Sequence, residues 1–102
     1  MADREGQDAI DAINAGIQRN VRKTVTAVIS RITKIKESDI TGDKLIRDDL
    51  GVDSMQAIES LAVIEKEFGI VIDPDKAFMV ATVNDLFELI EAAVSGAGTG
   101  AA

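Results

Sequence analysis

Ile10, Ile13, Ile17, Val21, Val25, Val28 and Ile32 recur three or four residues apart, which places all seven on one face of a helix. A strand would need alternation by two. The first third of the chain is therefore committed to helical packing. Either one long helix reaches about Lys36, or two helical pieces meet near Gly16 and Asn20. Asn14, Gly16 and Asn20 are weak helix formers. The firm part is set at roughly Asn20 to Lys36, and residues 1–18 form an extension that is partly helical or disordered. The Ile10-Ile13-Ile17 stripe either packs on the same core or serves as a docking segment for another protein.

Glu37-Ser38-Asp39-Ile40-Thr41-Gly42-Asp43 breaks the period with small and polar residues. It opens a long loop in which Ile40, Leu45, Ile46 and Leu50 are the expected anchors to the core. Loops of this length without regular structure are uncommon and often functional. This one delivers the chain to Gly51-Val52-Asp53-Ser54-Met55. Asp53 has the character of a helix N-cap, and Gln56 three residues later completes a capping box. A second helix follows, with Met55, Ile58, Leu61, Ala62, Ile64 and Phe68 at helical spacing and Gly69 as a left-handed terminator.

Ile70-Val71-Ile72 could pass for a strand, but it has no partner strand and stops at Pro74. An extended linker tucked against the core fits it better. Asp73 and Pro74 open a brief helix through about Val80. Thr82, with Asp85 three residues on, opens the last helix, whose apolar face is Val83, Leu86, Phe87, Leu89, Ile90 and Val94. Residues 96–102 are a flexible tail by composition. The fold class is all-α: a small four-helix bundle of three main helices and a short third, with a long loop after the first, over residues 19–95.

Composition excludes several kinds of function. The net charge of -7 lacks the Lys and Arg clusters that nucleic acid requires and suits a protein that meets basic surfaces. With no Cys there is no disulfide, thiolate nucleophile or Cys-based metal site. With no His there is no ready general base near neutral pH. An enzyme acting alone is a poor reading of such a chain. No metal site is expected, since Asp48, Asp49 and Asp53 do not follow the alternating ligand spacing of a calcium loop. No stretch approaches the ~20 apolar residues that span a bilayer. Met1-Ala2-Asp3-Arg4-Glu5-Gly6 lacks the order of a signal peptide, so a cytoplasmic location is the expectation; the chain is also expected to be a monomer.

Ser54 then stands out. In the first turn of the second helix its hydroxyl is only lightly packed, and anything attached to it meets free backbone N–H groups and the positive end of the helix dipole. A phosphate ester could be held there at little cost. Taken alone, Asp-Ser marks no more than a capped helix start.

What surrounds the dipeptide carries more. Leu45 to Ile72 reads LIRDDLGVDSMQAIESLAVIEKEFGIVI, and ATVNDLFELI follows about ten residues later. This resembles the acyl carrier protein family, in which an Asp-Ser-Leu or Asp-Ser-Met turn opens the second helix, a Glu-x-Glu-Phe stretch closes it and Thr-Val opens the last. The likeness covers about Asn20 to Val94.

The resemblance implies a carrier of covalently bound intermediates. The serine matching Ser54 receives 4′-phosphopantetheine through a phosphodiester, and an acyl group rides on the arm's thiol as a thioester. A chain without Cys would have to acquire its thiol in some such way. Asp53 as N-cap and Met55 flank the attachment point, and Asp53, Met55, Glu59 and Glu65 are the positions that meet basic patches on partners. Those partners are a phosphopantetheinyl transferase and acyl-ACP synthetase, ketosynthase or acyltransferase type enzymes of fatty acid, lipid or polyketide synthesis. Ile58, Leu61, Ala62, Phe68, Ile72, Val80 and Val83 are the expected lining of an acyl pocket. An aminoacyl or peptidyl carrier, such as a D-alanyl carrier, and an unmodified helical adaptor are the alternatives.

The sequence departs from the family pattern at several positions. Lys66 interrupts a run of acids, Gln56 stands where an acidic or polar residue is usual, and Ser60 occupies a position that is often aliphatic. Phe78 and Met79 fall where the typical fatty acid carrier is polar or charged. Exposed, they would form an apolar partner patch; turned inward, they would reshape the pocket. With the N-terminal extension, these changes point to a specialised carrier in a dedicated pathway.

Overall fold

The computed structural model describes the backbone of residues 2–100 and the side chains of residues 12, 13 and 15–96. Four helices follow in order: α1 at Ala2–Thr33, α2 at Ser54–Phe68, α3 at Pro74–Phe78 and α4 at Val83–Gly100. A single 3-10 turn, Glu37–Asp39, interrupts the long connection between α1 and α2.

α1 is one continuous helix; neither Gly16 nor Asn20 interrupts it. It stops at Thr33, three residues before the expected end, because Lys34 takes a left-handed conformation (φ 67°). The Thr33 hydroxyl closes the helix end, donating to the Ile29 carbonyl at 2.7 Å and accepting from the Ile35 N–H at 3.2 Å. Val21, Val25, Val28 and Ile29 are buried, and Ile17 and Ile32 pack against the core's edge. The apolar stripe leaves the core beyond Ile17: Ile13 is 61% exposed. The packing expected of Ile10 lies outside the described residues.

α1 packs on both α2 and α4, and α3 packs on α4. Ile64 from α2 and Val83 and Ile90 from α4 meet Val21 and Val25 at the centre, all without solvent contact. At the α1–α4 seam the Arg22 guanidinium lies 5.5 Å from the centre of the Phe87 ring and 3.6 Å from the Glu91 carboxylate.

The long loop is held by its backbone as much as by its side chains. Leu45 forms an isolated antiparallel bridge with Thr82. The N–H of Ile46 donates to the Ala81 carbonyl, that of Val83 to Lys44 and that of Asn84 to Gly42. Ile40 is buried, and Ile46 and Leu50 lean on the core, as expected. Leu45 does not: its backbone is engaged while its side chain stays exposed. Val52 takes the missing place, buried at the loop's last bend.

Between α2 and α3, Ile70 and Ile72 are buried while Val71 is 90% exposed, the alternation of an extended linker lying on a core. α3 ends at Phe78, earlier than Val80, with Met79 as its cap. α4 begins with a reciprocal cap. The Thr82 hydroxyl accepts from the Asp85 N–H, and the Asp85 carboxylate accepts from the N–H groups of Ala81 and Thr82, each at 3.1 Å. The backbone then stays helical to Gly100, where a flexible tail from residue 96 was expected. Once nucleated, a helix gains one hydrogen bond for each residue added, and the run begun at Val83 continues through Gly96, Gly98 and Gly100 although glycine disfavours it.

Candidate functional site

The loop and α2 meet at Gly51, whose φ of 67° turns the chain where a side chain would be strained. Val52, buried, fixes the bend, and its N–H donates to the Ile46 carbonyl at 3.1 Å. Asp53 is extended (φ -85°, ψ 174°) and begins a complete capping box. Its carboxylate accepts from the Gln56 N–H at 2.8 Å, and the Gln56 side-chain oxygen accepts from the Asp53 N–H at 3.3 Å. The Ala57 N–H is taken by the Asp53 carbonyl at 2.9 Å.

That arrangement leaves the N–H groups of Ser54 and Met55 without a hydrogen-bond partner among the described residues. They sit at the positive end of a helix 15 residues long. Ser54 itself is exposed, and no group among the described residues engages its hydroxyl. The site therefore offers an approachable nucleophile beside two donors suited to a phosphate oxygen. The Asp53 carboxylate is committed to the cap and the chain has no His. The proton that leaves the hydroxyl on substitution must go to a group on a partner or to solvent.

Beside Ser54 runs an apolar line with no core to pack on. Met55 is 70% and Ile58 69% exposed, and Ala62 continues the line outward, with exposed Glu59 beside it. Ile58 and Ala62, expected in an acyl pocket, are thus on the outside. The buried residues of α2 are Ser60 and Ile64, with Leu61, Val63 and Phe68 half-buried around them. The reason is the serine. A polar residue in the middle of the inward stripe breaks that stripe's period, so the expected apolar set of Met55, Ile58, Leu61, Ala62, Ile64 and Phe68 combines inward and outward positions. Leu61, Phe68, Ile72, Val80 and Val83, the rest of the expected lining, do gather at the core.

Glu65 also departs from its expected place beside Glu59. It is partly buried, and its carboxylate accepts the Ile72 N–H at 2.8 Å, which pins the linker after α2. Its charge serves the fold, because a backbone donor sealed against the core needs an acceptor. Phe78 and Met79, at 84% and 80% exposure, stand on the surface and not in the pocket.

Two surface clefts lie away from this region. One is lined by Ile35, Thr41, Asp43, Lys44, Asp49 and Leu50 among others, and the second by Ile17, Gln18, Glu91, Ala92 and Ser95. None of the residues expected to shelter an acyl chain lines either cleft. Two carboxyls are held below the ordinary aspartate range. A hydrogen bond from the Thr41 hydroxyl lowers Asp43, and backbone donors at Thr82 and Ala81 lower Asp85.

Comparison with known proteins agrees with this geometry. A family model described as "Phosphopantetheine attachment site" matches residues 23–90, most of the bundle and all of α2. The chain is 38% identical over 69 residues to the acyl carrier protein of Treponema pallidum, covering 68% of this chain and 88% of that one. Identity to the acyl carrier protein of Exiguobacterium sibiricum is 38% over 68 residues, 67% of this chain and 85% of the relative.

Among solved structures, a Mycobacterium tuberculosis chain described as a candidate acyl carrier protein superposes with a TM-score of 0.67 at 29% identity, over 71% of this chain and 96% of that one. The 3,7-dioxo-octyl actinorhodin acyl carrier protein of Streptomyces coelicolor superposes with a TM-score of 0.60 at 26% identity, over 78% and 92%. With the matched family spanning the exposed serine and the helices that present it, this chain belongs to the acyl carrier protein family and bears its acyl groups on a covalently attached 4′-phosphopantetheine.

Proposed function

We propose that Ser54 is the residue that carries the prosthetic group, and that the face around it is where partner enzymes dock. The observation behind this reading is an exposed hydroxyl at the start of α2, beside two N–H groups unpaired among the described residues that can hold a phosphodiester. When bound, the group supplies the thiol on which an acyl chain rides as a thioester. The chain's own contribution is placement. The Gly51 bend, buried Val52 and the Asp53 cap hold Ser54 outward, and the backbone ties from the loop to the start of α4 keep that bend fixed.

Docking falls to Asp53, Met55, Ile58 and Glu59. An apolar line flanked by carboxylates suits an enzyme surface with a shallow apolar depression ringed by Lys and Arg, the acids setting encounter and orientation. The phosphopantetheinyl transferase must meet this face to install the group, and the acyl-loading and condensing enzymes meet it afterwards. Phe78, Met79 and Val71 are further exposed apolar side chains, which supports a dedicated set of partners over general service.

Incubating the apo protein with a phosphopantetheinyl transferase and coenzyme A, then weighing it intact, tests the assignment. The expected result is a gain of one arm's mass in the wild type and none in Ser54→Ala. Equal gains in both would move the attachment elsewhere, and no gain in either would refute the reading.

A further inference from the structure

Ser60 is the one buried polar residue among the described residues, 6% exposed, and its hydroxyl has no hydrogen-bond partner. It faces inward from the middle of α2, one turn before fully buried Ile64. Buried hydroxyls are ordinarily satisfied, and a serine inside a helix can bond the carbonyl four residues back. This one does neither. A core position where a hydroxyl is sealed from water without a partner is costly to keep if an aliphatic side chain would serve.

One seam of the bundle is loose among the described residues. α2 is packed against α1, and α3 against α4, whereas α2 makes no comparable packing with α3 or α4. Half-buried Leu61 and Phe68 from α2, Ala77 from α3 and Val80 just after it all pack against the same core. A chain tethered at the head of α2 and entering there would run along the helix. Ser60 lies six residues on, roughly 9 Å along the axis.

We propose that the Ser60 hydroxyl is the interior hydrogen-bonding group for an oxygenated acyl chain, one with a keto or hydroxyl oxygen a few carbons beyond the thioester. This rests on the carrier reading and narrows its cargo. An apolar guest would leave the hydroxyl unmet, whereas a guest oxygen gives it a partner, and the discrimination comes from that difference.

The test uses the full chain loaded at Ser54 with hydrolysis-resistant pantetheine analogues bearing octanoyl or 5-oxo-octanoyl groups, in wild type, Ser60→Ala and Ser60→Thr. Intact mass confirms loading, and backbone amide shifts of Ile64, Val83 and Ile90, relative to the unacylated arm, report entry. The 5-oxo chain is expected to shift these amides at least twice as far as octanoyl in the wild type. Ser60→Ala should abolish the preference and Ser60→Thr, which keeps the hydroxyl, should restore it. Equal shifts for the two chains in the wild type, or a preference that survives in Ser60→Ala, would overturn the inference while leaving the carrier reading intact. Failure to load at all would overturn both.

Discussion

Ser54 and Ser60 are six positions apart on one helix and do opposite things. The first is outside with its hydroxyl free to react, and the second is inside with its hydroxyl unsatisfied. In the unloaded protein the second is a liability. Ser60→Ala removes an orphaned polar atom with little change of volume, and should raise unfolding free energy by about 1 kcal/mol. In a domain of this size that corresponds to a midpoint about 4–8 °C higher, read in a thermal melt. A lower midpoint would mean the hydroxyl has a stabilising partner after all. Glu65 shows the complementary case: a charge that looks free on a helix surface is spent on the Ile72 N–H.

At the scale of elements, the caps fix where each helix begins and so where the site points. Asp53→Ala deletes the acceptor for the Gln56 N–H and should cost about 1 kcal/mol in urea unfolding, with slower loading of Ser54 as the first turn frays. The cap of α4 adds a pH dependence. Backbone donors lower the Asp85 carboxyl below its ordinary range, so its stabilising contribution is complete above the unfolded-state value of ~3.9 and is lost as pH falls through the lowered native value. Below about pH 4, Asp85→Asn should therefore lose stability less steeply than the wild type; parallel acid-limb melts would contradict this.

These caps, the left-handed Gly69 and the buried stripe of α1 were legible because each rests on local chemistry within four residues. The facing of α2 was not. Three of its turns carry two apolar lines, and only packing against α1 decides which is inside. The end of α1 was missed by three residues because a left-handed Lys34 has no composition signal. Leu45 and Val52 were exchanged as anchors because the loop is tied by backbone bonds to the start of α4, and sequence spacing does not show those.

The whole molecule is an acidic bundle, net charge -7, whose exposed apolar surface includes Met55 and Ile58 beside the reactive serine. No helix among the described residues is long and apolar enough to cross a membrane. Ile58 faces solvent, so Ile58→Ser should leave stability within about 0.5 kcal/mol. It should nevertheless weaken binding to the phosphopantetheinyl transferase several-fold in a titration; unchanged affinity would remove that line from the docking face. The central claim is that the exposed serine, and no other, bears the arm. The chain has five serines, at 30, 38, 54, 60 and 95. Fragmenting the tryptic peptide Asp48–Lys66 of the loaded protein separates Ser54 from Ser60, and the added mass is expected on fragments containing Ser54 alone. Finding it on Ser60, or on a peptide carrying Ser30, Ser38 or Ser95, would contradict the account.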